Sequence, residues 1–235
     1  MGGAFITFEG TDGAGKSTQA RRLRDRLAAA GHPVTLTREP GGSRWAETLR
    51  AALLSERGAA LSAREQALLF AAARADHVAA LIAPTLADGV TVICDRFADS
   101  TEAYQGVAGV PAPLLALLSR VAVGATRPDL TFILDCPVSV GQTRMEARGG
   151  RDTFDKDAAD IQEARRQAFL AIAAREPERC VVIDAAGTAD EIADAIWQAA
   201  EARLGLGAVP ETANPLAGRG PAASAAAQSA AAATD

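Results

Sequence analysis

Eight consecutive residues, Gly10-Thr11-Asp12-Gly13-Ala14-Gly15-Lys16-Ser17, carry the spacing G-x-x-x-x-G-K-[ST]. Glycines in such a loop let backbone N–H groups turn inward around phosphate oxygens, because no Cβ stands in the way. The helix that follows would point its partial positive end at the same anions. A lysine at position 16 reaches the β- and γ-phosphates of a nucleoside triphosphate, and the Ser17 hydroxyl can ligate Mg²⁺. The pattern alone also suits an ordinary Gly-rich turn. The strand-like run before it and the helical pattern after it favour the phosphate reading.

Four further segments gather groups suited to a second anionic substrate. They are Thr37-Arg38-Glu39-Pro40-Gly41-Gly42, Leu69-Phe70-Ala71-Ala72-Ala73-Arg74, Asp95-Arg96-Phe97 and Tyr104-Gln105-Gly106. Arg38 and Arg96 offer planar forks that match phosphate geometry two bonds at a time. Phe70 and Arg74 stand four residues apart, so a helix would set them on one side. A fifth segment, about 144–155, places Arg144, Arg148 and Arg151 around paired glycines, which fits a mobile flap that delivers positive charge on closing. Each residue also has a plainer reading: surface ion pairs for the arginines, a cap for Asp95, core packing for Phe70. A guanine-reading N-K-x-D or T-K-x-D segment is absent, since Lys156 sits in Phe-Asp-Lys-Asp and the only asparagine is Asn214.

Five runs rich in β-branched and aromatic residues must position these groups: Phe5–Glu9, Val34–Thr37, Val90–Cys94, Leu130–Leu134 and Val181–Asp184. Several are apolar at nearly every residue, as in strands covered on both faces. Between them, Thr18–Ala30 sets Ala20, Leu23 and Leu27 on one face and ends at Gly31. Ser62-Ala-Arg-Glu65 and Thr188-Ala-Asp-Glu191 carry the capping-box spacing. This alternation predicts an α/β fold: a five-stranded parallel sheet with helices on both faces and an Arg-rich lid. We expect one domain over 1–206, followed by an Ala/Pro/Gly-rich disordered tail over 207–235.

Composition narrows the classes further. The chain has 235 residues, 49% hydrophobic and 23% charged, with a net charge of −5, so general attraction to nucleic acid or anionic membrane is not expected. Nearly all its basic residues are arginines, the lysines being Lys16 and Lys156 alone. Cys94, Cys136 and Cys180 form no C-x-x-C pair and read as small buried hydrophobes. With two histidines and no run of about 18 apolar residues, neither a histidine metal cluster nor a membrane span is expected, and the chain reads as cytoplasmic.

In order and spacing, the five motifs from the phosphate loop to Tyr104-Gln105-Gly106 resemble the thymidylate kinase family, and the likeness runs from about Phe5 to about Leu204. The resemblance implies a P-loop NTPase fold, ATP and dTMP as substrates, Mg²⁺ as cofactor, and a homodimer. It implies that ATP is held by Gly10–Thr18 and Arg144, with Ser17 and Asp95 serving the metal. It implies that Arg38 and Arg96 grip the dTMP phosphate, that Phe70 stacks on thymine, and that Arg74 bonds its carbonyl edge. Asp12 resembles the carboxylate that holds the 3′-hydroxyl, Tyr104 the residue that crowds the ribose 2′ position, and Gln105 a further wall of the base pocket. Lys16, Arg96, Arg148 and Arg151 then carry the phosphoryl transfer. The chain departs from some members at Gly13, where they place a basic residue, so Arg148 and Arg151 are expected to supply that charge. Two other readings are another pyrimidine nucleoside monophosphate kinase and, from a different class, an ATPase coupled to a partner.

Overall fold

The computed structural model describes residues 3–147, 149 and 158–205. The lid arginines Arg148 and Arg151 and the tail from 206 onward lie outside these residues.

Five strands, β1 (Phe5–Glu9), β2 (Val34–Arg38), β3 (Thr91–Asp95), β4 (Leu130–Asp135) and β5 (Cys180–Asp184), form one sheet in the order β2-β3-β1-β4-β5. Every pairing is parallel, with Phe8 opposite Asp95 on one side and Phe132 on the other. The expected strands are all present. β3 begins one residue later than expected and ends on Asp95, so its last side chain falls at the sheet's carboxyl edge.

Parallel strands need crossovers, and these cover both faces. On one face lie α1 (Lys16–Ala29) and α10 (Ala189–Leu204), whose Leu23, Leu27, Ile192 and Ile196 close over Ile6, Phe8 and Ile93. α1 starts two residues earlier than the apolar period suggested, inside the phosphate loop, with Gly15 as its N-cap at φ 96°. It stops at Gly31, where φ is +84°.

On the other face the chain passes through α2 (Arg44–Leu53), the single turn α3 (Glu56–Ala59) and α4 (Ala63–His77). α4 continues through a π turn, Val78–Ile82, into α5 (Ala83–Ala87). The widened turn comes immediately before Pro84, whose ring and missing N–H do not fit a tight α-ladder. By length and mean hydropathy alone, 63–87 passes for a membrane span, but its α4 portion packs beside α2, α6 and α7 within the fold. Next come α6 (Ala98–Val107) and α7 (Ala112–Val123), then α8 (Val138–Ala147) after β4 and α9 (Ala159–Arg175) before β5. Phe5, Val92, Cys94 and Phe97 meet Val78 and Ile82 on this face, while Ile133 meets Phe169 and Ile172. Both expected capping boxes form, at Ser62 with Glu65 and at Thr188 with Glu191. The three cysteines are buried and free.

Candidate active site

The loops after β1, β2 and β3 rise together at the carboxyl end of the sheet, where open α/β sheets hold their ligands. They and the helices α2, α4 and α6 enclose a cavity of about 420 Å³. Its lining includes nearly every residue singled out from the sequence: Asp12, Gly13, Gly15, Lys16 and Ser17 from the phosphate loop, Arg38 at the end of β2, Phe70 and Arg74 on α4, Asp95 at the end of β3 with Arg96 just beyond it, and Tyr104 and Gln105 on α6. Gly10, Thr11 and Ala14 complete the loop behind them, and Thr18 lies on the first turn of α1.

Lys16 is buried, and its ammonium donates to the Thr11 carbonyl at 2.7 Å. Burial and then the charge of Arg96 lower its pKa to about 8, against the pull of Asp12, Asp95 and Glu9. Ser17 Oγ donates to the Asp95 carboxylate, so a hydroxyl and a carboxylate stand together at the mouth of the loop.

Arg96 has the one positive φ outside glycine among the described residues, +69°. That backbone strain costs of order 1–3 kcal/mol and is held by the surrounding bonds. The Arg96 amide donates to Phe8 O at 2.9 Å, extending the β1–β3 ladder. Its guanidinium donates to Gly10 O at 3.2 Å, to Ser100 Oγ at 3.0 Å, to Tyr104 Oη at 3.2 Å and to Asp12. Tyr104 Oη donates in turn to the other Asp12 oxygen at 2.6 Å. Burial would raise the Asp12 pKa, but Arg96 and Lys16 overcome it and hold the carboxyl near 2. Asp12, Arg96 and Tyr104 thus form one preorganised, charged corner.

On the opposite wall Phe70 is only half-buried and joins none of the core clusters, so its ring is available to a ligand in the cavity. Arg74 is almost wholly buried, bonded through Nε to Glu39 at 2.7 Å and through Nη2 to Phe97 O at 2.9 Å and Thr101 Oγ1 at 3.1 Å. Gln105 is buried beside Gln66. Arg38 is half-exposed and pairs with both Glu47 oxygens at 3.1 Å.

Gly13 has a structural reason to lack a side chain. Its φ is +79°, and a Cβ there would lie 2.2 Å from the Gly141 carbonyl oxygen on α8. A basic residue at that position would push against the backbone of the helix that leads into the lid. Arg144 does not line the cavity; its guanidinium holds the carbonyls of Ala185, Ala186 and Gly187 at 2.7–3.2 Å.

Three contributors had been given no role. Arg50 lines the cavity and donates to Pro40 O at 2.7 Å, a helical arginine with no motif around it. Glu9 ends β1 fully buried, accepting from Phe97 N at 2.7 Å and Ser100 Oγ at 2.6 Å, with its pKa raised to about 7 by burial and Asp99. Glu39 belonged to a segment noted for its arginine, yet it is the acid that fixes Arg74.

A buried lysine and Arg96 on one side of a nucleotide-sized cavity, with the half-buried Phe70 on the other, define a phosphate-loop protein whose cavity suits phosphorylated ligands. The thymidylate kinase family profile matches residues 8–196. A thymidylate kinase of Caulobacter vibrioides is 52% identical over 205 residues, covering 87% of this chain and 99% of that protein. One of Rhodopseudomonas palustris is 53% identical over 207 residues, covering 86% and 90%. The crystal structure of thymidylate kinase from Ehrlichia chaffeensis superimposes with a TM-score of 0.68 at 33% identity, over 85% of this chain and 99% of that one. This chain belongs to the thymidylate kinase family.

Proposed function

We propose that this chain transfers the terminal phosphoryl group of ATP to dTMP, giving dTDP and ADP on the way to dTTP for DNA replication. The observation that carries the reading is the shared cavity: Lys16 and Ser17 open onto the same space as Phe70 and Arg74. A partner-coupled ATPase has no use for that second wall.

The acceptor is already a phosphate, with a second pKa near 6, so it is substantially a dianion at neutral pH. No general base is required. One acceptor oxygen attacks the γ-phosphorus, the bond to the β–γ bridging oxygen breaks, and ADP leaves with that oxygen. Catalysis is then alignment and charge neutralisation. Lys16 sits where it can neutralise the β- and γ-oxygens, while Arg38 and Arg96 hold the acceptor phosphate in line. Phe70 stacks on thymine, Arg74 bonds its carbonyl edge, and Gln105 closes the base pocket. Asp12 receives the 3′-hydroxyl, and Tyr104, fixed against Asp12, crowds the 2′ position. Arg148 and Arg151 bring further positive charge when the lid closes, since Gly13 cannot, and Arg144 anchors the helix before them beside bound ATP.

Magnesium fits this site. Ser17 Oγ and the Asp95 carboxylate are hard oxygen donors held together, and Mg²⁺ characteristically takes one or two protein oxygens, filling its shell from water and phosphate. When bound, it supplies charge neutralisation of the phosphate oxygens. The free, buried cysteines are consistent with a cytoplasmic protein. We further propose a homodimer formed through the exposed apolar residues of α2, α4 and α7.

The test is ADP release from Mg·ATP across a panel of nucleoside monophosphates with a no-acceptor control. Strong dependence on dTMP, weak on dUMP and negligible on ribonucleotides, is expected. ADP formed equally without an acceptor would overturn the acceptor half of this reading.

A further inference from the structure

We propose that His77 is a positioning residue for acceptor specificity: it ties the end of β2 and the following loop, which carries Glu39, to the helix carrying Phe70 and Arg74, and so fixes how Arg74 meets the acceptor base. The inference rests on the acceptor reading above.

His77 ends α4 with no exposed surface, and both ring nitrogens are engaged. Nδ1 lies 3.1 Å from Glu39 Oε1, and Nε2 lies 2.8 Å from Thr37 Oγ1. Glu39 divides its carboxylate between two partners on α4, with Oε2 taking Arg74 Nε at 2.7 Å. In this network Nδ1–H donates to the carboxylate and Nε2 accepts the Thr37 hydroxyl proton. Gly42 presses the loop against the imidazole: at φ +87°, a Cβ would fall 2.2 Å from Nε2 and 2.5 Å from Thr37 Oγ1. One side chain therefore meets β2 at Thr37 and the loop after it at Glu39 and Gly42.

The consequence lies one helical turn back. Arg74 has Nε committed to Glu39 and Nη2 to Phe97 O and Thr101, so among its hydrogen bonds Nη1 alone is left for a ligand. Its direction is set by where Glu39 stands, and Glu39 is held on its far side by His77. A buried imidazole must satisfy both nitrogens, and here both partners, Thr37 and Glu39, lie outside α4, so the ring couples two elements rather than closing bonds within its own helix. His77 touches neither cavity nor ATP loop, so its effect should be confined to the acceptor.

The experiment compares His77→Asn, His77→Gln and His77→Phe in the full chain. An Asn amide nitrogen takes roughly the place of Nδ1 and keeps the donor to Glu39. A Gln amide reaches the place of Nε2, keeping Thr37 and withdrawing from Glu39. Expected is a rise of about tenfold in the dTMP KM for His77→Gln and His77→Phe, with the ATP KM unchanged. The dTMP-over-dCMP ratio of kcat/KM should fall with it, because cytosine presents an amine where thymine presents a carbonyl. His77→Asn should restore most of both. An unchanged dTMP KM in folded variants, or equal losses for Asn and Gln with the ATP KM rising alongside, overturns the proposal. Should a variant lose its melting transition, Glu39→Gln decides by the same readouts. Wild-type activity lacking dTMP dependence would instead sink the acceptor reading itself.

Discussion

Lys16 and Glu9 lie buried beneath the phosphate loop, and burial pushes both toward their neutral forms, Lys16 down to about 8 and Glu9 up to about 7. For Lys16 the direction has a kinetic consequence. In the free enzyme its ammonium is charged below about pH 8 and is lost as pH rises through that value, and phosphate binding requires it charged. Because kcat/KM reports the free enzyme, its value for ATP should decline above pH 8, approaching about tenfold per unit. kcat should hold to higher pH, since bound phosphates favour the ammonium. Lys16→Arg, which stays charged, should remove the break even where its absolute activity is low. A kcat/KM that stays flat for the wild type to about pH 9.5 would show that Lys16 does not titrate as its surroundings dictate.

At the scale of elements, α8 backs directly onto the phosphate loop, Gly141 against Gly13 and the Asp12 carbonyl. An Ala at 141 would gain about 0.8–1.0 kcal/mol of helix propensity over glycine. Its Cβ, however, would stand 2.7 Å from Asp12 O, too close for any real contact. The steric term should win: Gly141→Ala is expected to lower kcat and raise the ATP KM several-fold, without raising Tm. A faster or more thermostable variant would mean that α8 yields freely. This contact marks the limit of what the sequence discloses. β1, β3 and β4 were legible because burial on both faces makes them apolar runs, and both capping boxes because their partners lie three residues apart. Lys16, Arg38, Phe70, Arg74 and Arg96 stood out by residue type and spacing within ordered segments. Gly13 facing Gly141, Glu39 joining Arg74 to His77, and Arg50 reaching Pro40 depend on which helix lies beside which loop, and no local pattern encodes that.

For the whole molecule, the acceptor wall and the exposed apolar surface belong to the same helices. Trp45 on α2, Leu68 on α4, and Leu117 and Val121 on α7 are 46–74% exposed. Neighbouring helices α2, α4 and α7 pack side by side, and Leu117 and Val121 stand one turn apart on a single face of α7. Large apolar groups on adjoining helices are costly to leave in water, and a second copy of the chain would cover them at an isologous interface. Such an interface would also brace α4, which carries Phe70 and Arg74 toward the cavity on its inner side. Sedimentation of the wild type at micromolar concentration should therefore give twice the chain mass. Leu117→Glu combined with Val121→Glu places two charges in the apolar seam without touching the cavity lining, and should yield a folded monomer. If the seam steadies α4, that monomer should bind dTMP more weakly while keeping its ATP KM, because the phosphate loop hangs from the central strand β1 and from α1, which covers the opposite face of the sheet. A wild type that sediments as a monomer would remove the dimer, and a monomeric variant with unaltered dTMP KM would leave the dimer standing but separate it from the acceptor site.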